Sequence, residues 1–314
     1  MVRKVVTAAC LLIASTACTA GSLDQNTSDF RFRFDIKGYQ RGGWFEDPSA
    51  LAVDKRSSLL YVADQKADAV YGFSLQAVPK FEYGPSIGLK APIGLAVDSR
   101  GDIFVSEADG SPIKIIDSHG QVATLQIPAQ TGLLPPKPGR MSFDQDGNLY
   151  VLDRSNGQIC VFDKNRQFRL RFGAMGSKRG EFRMPQDVAV DRLGRIHVLD
   201  STGVPAQVFD PKGNYIYRFG MIGEGERDMS FPVALFIDRN DQIWIVDRSQ
   251  HSLKVFDRSG GFLRVFGSYG QAEGSLFHPI DADTDDLGRV YVLEAGARRV
   301  QVFSLDQPFE AFRP

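Results

Sequence analysis

Apolar residues in this chain come in short runs, and the runs repeat. One unit reads Val188-Ala189-Val190-Asp191, Arg195-Ile196-His197-Val198-Leu199-Asp200, Ala206-Gln207-Val208-Phe209-Asp210 and Tyr215-Ile216-Tyr217-Arg218-Phe219-Gly220. Each run is rich in β-branched and aromatic residues, as a strand requires, and none carries the 3.6-residue period of a helix. The breaks include Asp-Arg-Leu-Gly and Asp-Pro-Lys-Gly, in which the carboxylate can accept turn N–H groups and the glycine can take a positive φ. The pattern predicts a four-stranded antiparallel meander. It occurs six times, opened by Pro48, Pro92, Pro138, Pro185, Pro232 and Pro279, at intervals of 44, 46, 47, 47 and 47 residues. Six residues after each proline stands an aspartate: Asp54, Asp98, Asp144, Asp191, Asp238 and Asp285. Further on come an acid (Asp64, Glu107, Asp153, Asp200, Asp247, Glu294) and then a large apolar residue (Phe73, Ile116, Phe162, Phe209, Phe256, Phe303).

A lone four-stranded sheet leaves both faces open, whereas six packed around an axis cover one another and leave only short edges, so the expected fold is an all-β, six-bladed β-propeller. The ring needs a closure. Phe30-Arg31-Phe32-Arg33-Phe34 repeats the outer strand of the other units without inner strands of its own, and this match favours an N-terminal strand completing the last blade. The tail Phe309-Glu310-Ala311-Phe312 competes for the same place by its spacing from Phe303. The motif series Pro-x-x-apolar-x-x-Asp, a glycine turn, Tyr-Val-x-Asp, Val-Phe-Asp and Phe-Gly resembles the NHL repeat over residues 29–305. The unit at Pro92 departs from it, with Ser106-Glu107 and no Phe-Gly. The resemblance implies the same six-bladed ring.

Composition and the N-terminus add a setting. Arg3 and Lys4 precede an apolar run from Val5 to Ile13, then Ala14-Ser15-Thr16-Ala17-Cys18. The run is too short for a permanent span and reads as a signal peptide over residues 1–17. Ser15-Thr16-Ala17-Cys18 resembles a bacterial lipobox, with Cys18 as the lipidated residue, and also reads as an ordinary signal-peptidase site. Residues 18–28 read as a flexible tether and 29–314 as the propeller. The expected location is the cell envelope, held there by a lipid anchor, or else the periplasm or medium as a soluble protein. Cys160, in the run Gln158-Ile159-Cys160-Val161-Phe162, is expected to be a buried hydrophobe. With 37 basic and 38 acidic residues, no overall field draws the chain to nucleic acid, and any charged partner must meet a local patch.

In such blades the connections from an outer strand to the next inner strand share a face with the second-to-third hairpins. These connections are long and charged, as in Gly173-Ala174-Met175-Gly176-Ser177-Lys178-Arg179-Gly180-Glu181, while the turns on the other face are minimal. Loops on a rigid scaffold carry function, so binding is expected on the long-loop face, with Arg154, Lys178, Arg179, Arg183 and Arg248 as candidates. The repeated acids after the second strands could form a metal ring, but backbone capping accounts for an acid in every blade. His119 falls in a turn and His197 in a strand, both structural positions. His251, His278 and Asp281 are the candidate ligands for a divalent metal, the sole cofactor the chain suggests. Asp187 and Asp281 align with Ala50, Gly94, Arg140 and Ala234, which predicts a salt bridge in the channel. The expected function is a monomeric binding or scaffold propeller that meets a protein or polysaccharide of the envelope. The alternative, implied by the resemblance to propeller lyases and lactonases, is an enzyme with a metal site in the channel.

Overall fold

A computed structural model describes residues 30–39 and 43–305. The signal segment, Cys18, the tether, residues 40–42 and the tail from residue 306 onward lie outside the described residues. Among the described residues twenty-four strands form six four-stranded antiparallel sheets. Five are consecutive meanders. The sixth consists of Pro279–Thr284, Arg289–Glu294 and Arg299–Leu305, with the N-terminal strand Phe30–Ile36 added at its outer edge. The N-terminal strand therefore closes the ring, pairing Phe30 with Leu305 through Ile36 with Val300. Phe30 stacks on Phe303 at 4.2 Å and on Phe266 of blade 5 at 4.7 Å, so the closing strand also bonds to the neighbouring blade.

The core is six clusters, one per seam between blades. The large apolar residues that recur in the third strand sit there: Phe73, Phe162, Phe209, Phe256 and Phe303 are each at most 2% exposed. Burying side chains on both faces of the second strands, as in Leu149–Asp153 and Ile243–Asp247, explains why those strands read as near-continuous apolar runs. The aspartate six residues after each proline folds the first hairpin: Asp144 accepts N–H bonds from Asp146 at 2.9 Å and Asn148 at 2.8 Å, and Asp191 and Asp238 repeat the arrangement.

The second set of acids does more than cap its own hairpin. Asp200 accepts from Thr202 at 3.0 Å and Gly203 at 2.9 Å, and also from Arg183 at 2.6 Å and Met184 at 3.1 Å in the preceding connection. Asp64, Glu107, Asp153, Asp247 and Glu294 each take an equivalent bond from the chain entering their blade. Their lone pairs bind backbone donors, and they pin the long connections to the scaffold. Each inner strand also carries a register shift just after its proline, as between Pro185 and Asp187. Such bulges re-aim side chains, and here they govern the residue two places after the proline.

Candidate functional site

Two sites occupy opposite ends of the ring. The first is the channel, where a cavity of about 250 Å³ runs from Arg140, Asp187 and Asp281 toward Lys55 and Asp283 at the end of the short turns. The free edges of the inner strands face it, and aspartates satisfy part of their backbone. Asp281 accepts the Leu51 N–H at 2.8 Å and Asp283 the Val53 N–H at 2.9 Å, both from blade 1, and Asp187 accepts Leu235 of blade 5 at 2.9 Å. Each bond links two blades. Arg140 reaches across from blade 3 to pair with Asp281 and donates to the Ser49 carbonyl at 3.1 Å and the Ile280 carbonyl at 3.3 Å, so the salt bridge expected from the aligned positions is present. Burial raises the pKa of Asp281 against the pull of Arg140, and that of Asp283 against the pull of Lys55. Burial also drives Asp187, the more so with Asp281 nearby and in spite of Arg140, up to about 7. A carboxyl poised near neutrality can hold or release a proton.

The second site is on the long-loop face. The connection entering blade 4 folds back on itself, with Phe182 N–H donating to Ala174 at 2.8 Å and Gly176 N–H to Phe182 at 2.9 Å, while the Phe182 ring is fully buried. Gln207 grips it from the third strand, accepting from Gly180 at 2.9 Å and donating to the Glu181 carbonyl at 2.8 Å. The result is a rigid pocket of about 240 Å³ that gathers Lys178, Arg179, Arg183 and Arg218. Its two acids are committed to backbone, Glu181 to the Ser177 and Lys178 N–H groups and Asp200 to those of Arg183 and Met184. Three of the five cations expected from the sequence thus meet, because they share one connection. Arg218 was missed: it lies on the outer strand of blade 4, and only its pairing opposite Gln207 brings it to the pocket.

The other candidates disperse. Arg154 turns toward blade 2 and donates to the Ala108 carbonyl at 3.1 Å. Arg248 stays exposed on blade 5. His251 and His278 meet, with ring centres 4.8 Å apart, and the His278 N–H donates to His251 Nδ1 at 3.0 Å. That bond occupies one ligating nitrogen of His251, and partial burial together with the neighbouring His278 lowers its pKa. Asp281 is committed to Arg140 and to blade 1 in the channel, so the candidate metal set is divided. Among the described residues no three His, Cys, Asp or Glu side chains group to hold a metal ion. The two histidines belong instead to an aromatic cluster with Phe277 and Tyr269. His197 is buried against Asp191 at 3.2 Å and His119 is exposed in its turn.

Sequence reading also missed an apolar arc. Met175, Ile222 and Tyr269, spaced by 47 residues, take the same place in three successive connections, each bridged to a buried partner, Phe182, Met229 or Leu276. They are 51%, 46% and 67% exposed, and Met184, Met221 and Trp44 are exposed on the same face. The signal was available: apolar residues recur at a loop position where the fold buries only the bridge partner.

Fold and site together define a six-bladed propeller with a polar channel and a built long-loop face. The family model described as a 6-bladed beta-propeller matches residues 137–204. No curated protein matches significantly. Among solved structures, the chain is similar to a Bacteroides thetaiotaomicron protein of unknown function, with 16% identity and TM-score 0.67 over 87% of this chain and 73% of that one. It is similar to a gluconolactonase from Xanthomonas campestris, with 15% identity and TM-score 0.62 over 82% and 86%. Virginiamycin B lyase from Staphylococcus aureus is similar at 12% identity and TM-score 0.59 over 88% and 99%. At these identities the likeness is one of fold.

Proposed function

We propose that this protein is an extracytoplasmic binding propeller of the NHL type that presents its long-loop face to a protein or polymer partner. The observation that carries this reading is the exposed arc of Met175, Ile222 and Tyr269 on loops that buried side chains hold rigid. Large apolar side chains held exposed at the same place on three successive rigid connections are costly to leave in water and mark this face as an interaction surface. The reading includes export through residues 1–17 and attachment through Cys18. The test is cross-linking of the full chain in its own cell envelope, followed by identification of captured partners. Ile222→Asp/Tyr269→Asp should lose the dominant partner while the melting temperature stays unchanged. Identical capture by that variant overturns the reading. Labelling with a radioactive fatty acid, lost in Cys18→Ala, tests the anchor.

A second reading is favoured by Asp187, a buried carboxyl near neutrality in the channel cavity. In it the protein is a propeller enzyme of the lactonase or lyase kind, with Asp187 exchanging the proton. Turnover of lactones or streptogramins that disappears in Asp187→Asn would support it over the binding reading.

A further inference from the structure

We infer that the pocket lined by Lys178, Arg179, Arg183 and Arg218 takes the carboxylate of an acidic peptide segment in which the acid is flanked by apolar residues. The inference rests on the binding reading of the long-loop face and narrows its partner.

The repeat supplies the control. At equivalent positions the next connection carries Gly225, Glu226 and Ser230, and the one after carries Ala272, Glu273 and Phe277. All three connections fold with the same parallel bridge. Positive charge at these positions is therefore not needed to build the loop, and among these three connections it is confined to that of blade 4. Among the described residues none of the four cationic heads forms an ion pair or a hydrogen bond. The two carboxylates in the pocket point their lone pairs at backbone N–H groups. Four cations thus converge on a rigid pocket with no fixed counter-ion, and three are planar guanidinium forks that suit a carboxylate.

The rim argues for a peptide. Met175 and Met184, both exposed, stand at the two ends of the connection, beside Gly176 and Arg183 of the pocket. Methionine is a soft, adaptable contact surface for side chains of varied shape. An acidic residue with apolar neighbours satisfies both the pocket and its rim.

Fluorescence anisotropy with the full chain tests this. The probes are two labelled synthetic peptide pools, one with a Glu-Asp pair between apolar positions and the other with Gln-Asn in its place. The acidic pool should bind at least about tenfold more tightly, the worth of one charge-assisted bond. Arg183→Gln/Arg218→Gln should remove that advantage, and so should Lys178→Gln/Arg179→Gln, a second variant at two exposed side chains. Lys212→Gln, in the opposite turn of the same blade, should change nothing. Equal affinity for the two pools overturns the inference, as does an acidic-pool affinity unchanged in both double variants. Polygalacturonate, polyphosphate or poly(U) displacing the acidic pool at a lower concentration of charged groups than unlabelled peptide would assign the pocket to a polyanion and overturn the peptide. Partner capture lost in Ile222→Asp/Tyr269→Asp but intact in Arg183→Gln/Arg218→Gln would overturn this inference alone and leave the face reading in place.

Discussion

Replacing Asp187 by asparagine should make the protein relatively more stable as pH rises. The folded-state pKa of Asp187 is about 7 against an ordinary value of 3.8. Between those values the folded chain holds a proton that the unfolded chain has released. Wild-type stability therefore falls as pH climbs through this window and levels off above it. About three pH units at ~1.4 kcal/mol each give a loss on the order of 4 kcal/mol. Asparagine carries no such titration. Its cost is fixed: the carboxyl accepts from Val188 at 2.8 Å and from Leu235 at 2.9 Å through separate oxygens, whereas the amide has one acceptor. The N–H left unpaired costs about 1–3 kcal/mol. The variant should be less stable than wild type near about pH 4 and equal or better near about pH 8. Urea unfolding followed by the fluorescence of Trp244, which is buried between Phe236 and Phe266, measures the difference. A gap between the two proteins that stays the same at both ends of the window would refute the buried-proton argument.

Deleting residues 29–36 removes the outer strand of blade 6 and exposes Phe303, and a loss of about 5 kcal/mol or more should lower the melting temperature by roughly 10 °C. An unchanged melt would contradict the closure. Asp200→Ala strands four backbone N–H groups at about 1–3 kcal/mol for each that water cannot reach. It should lower stability and speed proteolysis within residues 173–184, read by limited proteolysis and mass spectrometry. Cys160 is fully buried, and burial pushes its thiol up to about 12. It should resist alkylation in native buffer and react once the protein is unfolded.

The sequence by itself determined the repeat and the features that recur with it in every blade. Strand edges, turn aspartates, seam phenylalanines and the second-strand acids are local or periodic features, so reading one unit reads six. The Arg140–Asp281 pair was legible for the same reason, since alignment put a cation among acids at one ring position. Lys178, Arg179 and Arg183 were legible as a group because a single connection carries them. Contacts between distant segments that share no position in the repeat were decided only by tertiary structure. Arg218 joins the pocket through strand pairing with Gln207, and Arg154 stays apart from it, donating to a hairpin carbonyl of blade 2. Asp281 stands three residues from His278, yet the bulge after Pro279 aims it into the channel, where blade 1 and Arg140 hold it. The repeat put Asp281 at a channel position, but that the bulge parts it from His278 was decided by its partners across the seam.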